Sequence, residues 1–112
     1  MDSGLIIKKQ WLDLILEGKK IWELRGSRTK KREIISLIES GSGEIKGSCK
    51  LVNCIGPLTE KQFNDNKEKH QSLSLQPPYK KTYAWVLSEP KRFEKGIKYI
   101  HPQGAIIWVN LD

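Results

Sequence analysis

Lys20, Glu23 and Arg25 are the residues of this chain whose types and spacing could do chemistry. They stand in residues 20–25, a run that otherwise reads as a strand. Side chains alternate faces along a strand, so Ile21, Glu23 and Arg25 are expected on one face and Lys20, Trp22 and Leu24 on the other. A carboxylate and a guanidinium two residues apart can form a charge-assisted pair. Lining a polar cleft, such a pair could hold a ligand. In an enzyme, Glu23 could act as general base on water and Lys20 could stabilise the oxyanion. The same residues would also serve as an ion pair on a solvated strand face, worth little. Residue types alone leave both readings open. Strict alternation separates Lys20 from Glu23 unless the strand bends near its start or the lysine reaches round a rim.

Residues 26–32 follow directly and read Gly-Ser-Arg-Thr-Lys-Lys-Arg, the densest positive charge in the chain. This is expected to be a loop. Hydroxyls, backbone N–H groups and the cations Arg28 and Lys31 suit phosphate. A solvated turn that carries charge for solubility is the alternative. Lys and Arg number 20 against 13 Asp and Glu, a formal net charge of +7 with a sequence pI of about 9.5. That balance favours anionic partners, nucleic acid first among them.

The elements that must position these residues are short. Residues 5–8 read as a first strand. Residues 10–17 read as a helix with a broad apolar face, Trp11 in the core and Gly18 at its C-terminal cap. Residues 33–39 read as a strand buried on both faces, and residues 40–43 as a turn. Residues 44–55 read as a long strand with a bulge or bend at Gly47. Thr59 and Gln62 form a capping-box pattern that opens a peripheral helix over residues 59–69, anchored by Phe63. Residues 70–81 have no period and read as a loop, with His70 exposed. Residues 83–87 read as a strand broken by Glu89-Pro90, followed by an edge segment over residues 92–100. A final strand over residues 105–109 carries Trp108. Short strands, Gly/Pro punctuation and two helices predict a mainly β fold, a small closed or half-closed barrel.

Composition excludes several classes. A chain of 112 residues suits one domain, residues 1–112. Hydrophobic residues at 38% and charged residues at 29% allow a modest core. No apolar run reaches membrane-spanning length and no leader peptide is apparent, so a soluble cytoplasmic protein is expected. Cys49 and Cys54 do not make a disulfide framework, and His70 and His101 are isolated. No metal and no cofactor are expected. His101 is conceivable as an acid or base, but its His-Pro-Gln-Gly context reads first as a turn.

Gly18-x-Lys20-x-x-Glu23-x-Arg25 resembles the G-x-K-x-x-E-x-R signature of ASCH domains, the activating-signal-cointegrator homology group of the PUA-like superfamily. The similarity extends to Leu5-Ile6-Ile7-Lys8, the tryptophan-bearing helix, Tyr83-Ala84-Trp85-Val86-Leu87 and His101-Pro102-Gln103-Gly104-Ala105. It implies a PUA-like β-barrel with two flanking helices. It also implies a cleft containing Lys20, Glu23 and Arg25, with Lys8, Trp22, Ser27 and Tyr83 as neighbours. Relatives of this kind are viewed as RNA-associated, so the implied partner is RNA or a nucleotide-like small molecule. Trp22, Tyr83 and Trp85 could stack on bases, or could equally be core. The alternative is a small hydrolase. Some bacterial relatives are amidohydrolases acting on a modified cytidine, and ribonuclease activity is associated with the group. The amidohydrolase pattern uses the signature lysine to activate a threonine where this chain has Glu23. Glutamate cannot replace that hydroxyl nucleophile, so Lys20 and Glu23 would work instead through general-base chemistry.

Overall fold

The computed structural model describes residues 3–111. Six strands form one curled sheet: β1 (Ser3–Ile7), β2 (Trp22–Arg25), β3 (Ile34–Glu39), β4 (Glu44–Ile55), β5 (Tyr83–Lys98) and β6 (Trp108–Asn110). Their spatial order is β2-β5-β4-β3-β1-β6. Three short helices accompany them: α1 (Lys9–Leu16), α2 (Glu60–Asp65) and α3 (Lys67–His70). The architecture is mainly β, a half-barrel. The helix expected over residues 59–69 divides at Asn66, so there are three helices where two were expected.

All pairings are antiparallel except β1 with β3, which runs parallel from Gly4↔Ser36 to Ile7↔Glu39. β4 and β5 form the long central pair. Its register slips at Gly47, where the sequence predicts a bulge. A β-carbon on Gly47 would collide with the Lys91 carbonyl oxygen and come within 2.7 Å of Leu16 Cδ2. Glycine therefore lets α1 press onto the curled sheet at that point.

β5 runs through Glu89-Pro90, where the sequence predicts a break. Glu89 takes a left-handed φ of 52°, and the register with β4 shifts across this dipeptide. A proline that cannot donate to the ladder is accommodated in the bulge.

The core has three parts. Leu5 and Ile7 of β1, Leu12 and Ile15 of α1, Ile35, Leu37, Leu51, Trp85 and Leu87 form the main one. Trp22, Leu24, Leu58, Phe63 and Ala84 form a second under α2. Ile38, Ile45 and Val109 form the third. Thr59 caps α2 through both arms of the predicted box, accepting from the Gln62 amide while its own N–H donates to Gln62 Oε1. Among the described residues, no helix is long and apolar enough to cross a membrane.

Candidate functional site

Lys20 is placed by the end of α1, not by a strand. Gly18 adopts a φ of 78° just past the helix, and the amides of Lys19 and Lys20 both turn back to the Leu14 carbonyl. This is the left-handed helix ending that glycine permits. β2 begins two residues later, so face alternation does not apply to Lys20. Its Nζ lies 3.6 Å from Glu23 Oε1, and the two side chains are almost completely buried. The same ammonium donates a hydrogen bond to the His70 carbonyl oxygen and lies 5.0 Å from the centroid of the Trp11 ring. Burial pushes the Lys20 pKa below the ordinary lysine value, Glu23 pulls it back up and Arg25 adds to the lowering.

Within β2, alternation works as the sequence predicts. Trp22 and Leu24 enter the second core, while Glu23 and Arg25 face the cleft, whose lining Leu24 also reaches. Arg25 Nε donates to Glu23 Oε2 at 2.8 Å, and Arg25 Nη2 donates to the Ile6 carbonyl at 2.9 Å. The guanidinium carbon lies 5.6 Å from the centroid of Trp85. One carboxylate thus sits between two cations, at the base of a cleft of about 330 Å³. Lys8, Trp11, Ser40, Ser72, Pro78 and Tyr79 complete most of its wall.

Four of the sequence-predicted residues, Lys8, Lys20, Glu23 and Arg25, share this cleft. Ser27, Arg28 and Lys31 do not line it but lie on the loop beyond β2. The Ser27 carbonyl accepts a hydrogen bond from Trp85 Nε1 at 2.9 Å. Arg28 covers the Tyr83 ring at 5.0 Å and Lys31 the Trp108 ring at 5.1 Å. Trp22 and Tyr83 do not line it either. They are buried with Trp85 in the core, so these three rings are not open to a base. Each of the four tryptophans has a lysine or arginine over it, Lys69 serving Trp22.

The sequence reading missed Tyr79, the half-exposed aromatic of the cleft. Its turn is held by buried Thr82, whose Oγ1 accepts from the Tyr79 amide and donates to the Tyr79 carbonyl. The ring packs on Gly26 so closely that a β-carbon there would come within 3.1 Å of it. Pro77-Pro78 marks the turn in the sequence, but nothing in that stretch says where the turn docks.

His70, expected to be exposed, is fully buried. It stacks on Phe63 with centroids 4.3 Å apart, its Nδ1 accepts from the Ser72 amide, and its Nε2 faces the Phe63 carbonyl at 2.8 Å. A carbonyl only accepts, so the proton is on Nε2 and the ring is neutral. Burial, Lys20 and Lys67 lower the His70 pKa, opposed by the bond to Phe63. Cys49 is also buried, and burial with the nearby Glu23 charge pushes its thiol up to about 12, which makes it inert. Among the described residues, no cluster of His, Cys, Asp and Glu is arranged to hold a metal ion.

A half-barrel whose polar cleft is built from a buried Lys-Glu-Arg set defines the class. The sequence pattern of the ASCH domain matches residues 5–97, and the chain belongs to the ASCH domain family. No curated protein matches the chain in sequence. The fold is similar to the crystal structure of ASCH from Zymomonas mobilis, with a TM-score of 0.76 at 13% identity, covering 98% of this chain and 87% of that one. Two single-residue variants of the Zymomonas mobilis protein match with TM-scores of 0.63 and 0.62 at 15% identity, covering 98% of this chain and 89% and 87% of theirs.

Proposed function

We propose that this ASCH domain binds RNA or a nucleotide-like ligand through the cleft of Lys20, Glu23 and Arg25, with phosphates held by the basic loops beside it. One observation carries the reading. The contact of Tyr79 with Gly26 brings the loop bearing Arg28, Lys30, Lys31 and Arg32 against the turn bearing Lys80 and Lys81. None of these six cations forms an ion pair among the described residues. They flank a cleft that offers the cations Lys8, Lys20 and Arg25, the carboxylate Glu23 and the ring of Tyr79. Phosphate contacts would supply affinity, and Tyr79 would stack on an unpaired base.

A hydrolytic reading draws on the lowered pKa of Lys20. The carbonyl, carboxylate and aromatic face around its Nζ nevertheless all favour the ammonium. Glu23 is held by Arg25 at 2.8 Å, so its carboxylate is poorly placed to take a proton from water. Binding is therefore the reading the geometry supports best. The test is a titration of short single-stranded RNA oligomers by fluorescence anisotropy, with product analysis of the same mixtures over hours. Saturable binding with intact RNA, weakened by Tyr79→Ala, is expected. Absence of binding refutes the proposal, and cleavage moves it to the hydrolase class.

A further inference from the structure

The cleft does not end at its Lys-Glu-Arg base. Past Ile6, Ser40 and Ile106 it continues into a second compartment of about 350 Å³, also lined by Tyr99, His101 and Ala105. The two compartments share Ile6, Ser40 and Ile106 and differ in chemistry. The first contains Lys8, Lys20, Glu23 and Arg25, whereas among the described residues no lysine, arginine, aspartate or glutamate lines the second.

Tyr99 and His101 make the second compartment selective. Their rings meet edge to face, with centroids 5.8 Å apart and planes at 61°. His101 Nε2 lies 2.8 Å from the Ala105 carbonyl oxygen, which can only accept, so Nε2 carries the proton. Nδ1 is then an acceptor and receives a hydrogen bond from the Tyr99 hydroxyl over 2.8 Å. The Tyr99 oxygen keeps its lone pairs for a donor. Burial raises the Tyr99 pKa, which keeps that hydroxyl protonated. The compartment thus presents two aromatic rings set edge to face and a hydrogen-bond acceptor, with no lysine or arginine among the described residues to hold a phosphate. A neutral, planar ring carrying N–H donors fits this description. Each compartment lies near the lower limit of small-molecule sites, about 300 Å³, and accommodates one unit rather than two. Ser40 stands at their junction with its hydroxyl unbonded among the described residues.

We propose that the cleft holds two consecutive units of one RNA strand, the first at Lys20, Glu23 and Arg25 and the base of the second in the compartment lined by Tyr99 and His101. The inference rests on the nucleotide-binding reading above and extends it from a single nucleotide to a strand.

Calorimetric titration with dinucleoside monophosphates (ApA, CpC, GpG, UpU) and the matching nucleoside 3′-monophosphates tests it, since each ligand has one phosphate. The best dinucleotide is expected to bind about tenfold more tightly than its mononucleotide, within the range of one base–aromatic stack. Tyr99→Ala and His101→Ala are expected to erase that preference without changing mononucleotide affinity. Tyr99→Phe, which keeps the ring, is expected to retain it. Equal affinity for both ligand classes in the wild type overturns the second compartment and leaves the first reading standing. So does a loss in Tyr99→Ala and His101→Ala that is the same for both. Binding of neither ligand class overturns both readings.

Discussion

The ammonium of Lys20 donates a hydrogen bond to the main-chain carbonyl of His70, fifty residues further along the chain. This bond ties the end of α1 to the end of α3. The carbonyls at a helix C-terminus carry partial negative charge and lack partners within the helix, so a cation there is favourable. Glu23 approaches the same cation at 3.6 Å. Lys20 therefore belongs to structure and candidate site at once, because it neutralises a helix end and lines the cleft.

Folding stability should fall on mild acidification because of His70. Its folded pKa lies below the ordinary histidine value of about 6.5. As pH drops below 6.5, the unfolded chain takes up a proton that the folded chain does not, so stability declines until the folded pKa is passed. Melting temperatures of wild type and His70→Gln between pH 5 and 8 check this. The wild-type curve should drop toward pH 5 and the variant curve should be flatter. Parallel curves would remove His70 as the cause.

Glu23→Gln should cost about 3–5 kcal/mol, the usual penalty for removing one partner of a buried ion pair. Lys20 is 3% exposed, and without the carboxylate beside it its ammonium is either buried unpaired or neutralised, both at a cost. Urea unfolding gives the number. A change below about 1 kcal/mol would mean that the pair behaves as a solvated one. Binding should be measured at a temperature where the variant remains folded, so that the two effects separate.

Gly47→Ala should destabilise by about 1–3 kcal/mol, as overpacking does. The new methyl would meet the Lys91 carbonyl, which belongs to the backbone and cannot rotate away, as well as Leu16. Gly41→Ala is a useful contrast, since nothing lies within 4 Å of its β-carbon and only its φ of 80° opposes the change. Thermal melts of both separate collision from backbone strain.

RNA affinity should fall as salt rises. Arg28→Ala, Lys31→Ala and Lys80→Ala should each lower the slope of log affinity against log salt by about 0.7 if each removes one phosphate contact on a single strand. A variant that retains the wild-type slope does not lose a phosphate contact.

Much of the fold was legible because the local signals were chemical. Gly18 ends α1 and Thr59 and Gln62 cap α2 for reasons that act within a few residues, and a glycine inside a strand pattern signals the bulge at Gly47 although its contacts, Leu16 and Lys91, are distant. Alternation correctly divided Trp22 and Leu24 from Glu23 and Arg25. It failed for Lys20 because the chain there is still finishing a helix. The sequence predicts an exposed His70 because nothing near it announces its Phe63 stack. Tyr79 was missed for the same kind of reason, since its position depends on a contact with Gly26 far away along the chain. Aromatic residues in predicted strands suggested base stacking, but strand aromatics in so small a half-barrel are needed for the core.

The parallel pairing of β1 with β3 has a consequence for the order of assembly. β1 is flanked by β3 and β6, so Gly4 must find both Ser36 and Val109. Contacts of such sequence separation make a domain slow to fold, on the order of milliseconds to seconds. During synthesis, the segment that supplies Ile106 and Trp108 emerges last of the strands. Until then β1 lacks its outer neighbour and the cleft lacks a wall. Lys20 and Glu23, whose charges are costly to bury, can stay in water until their partners are all present. The cleft is thus walled only after the segment carrying Ile106 and Ile107 has joined β1.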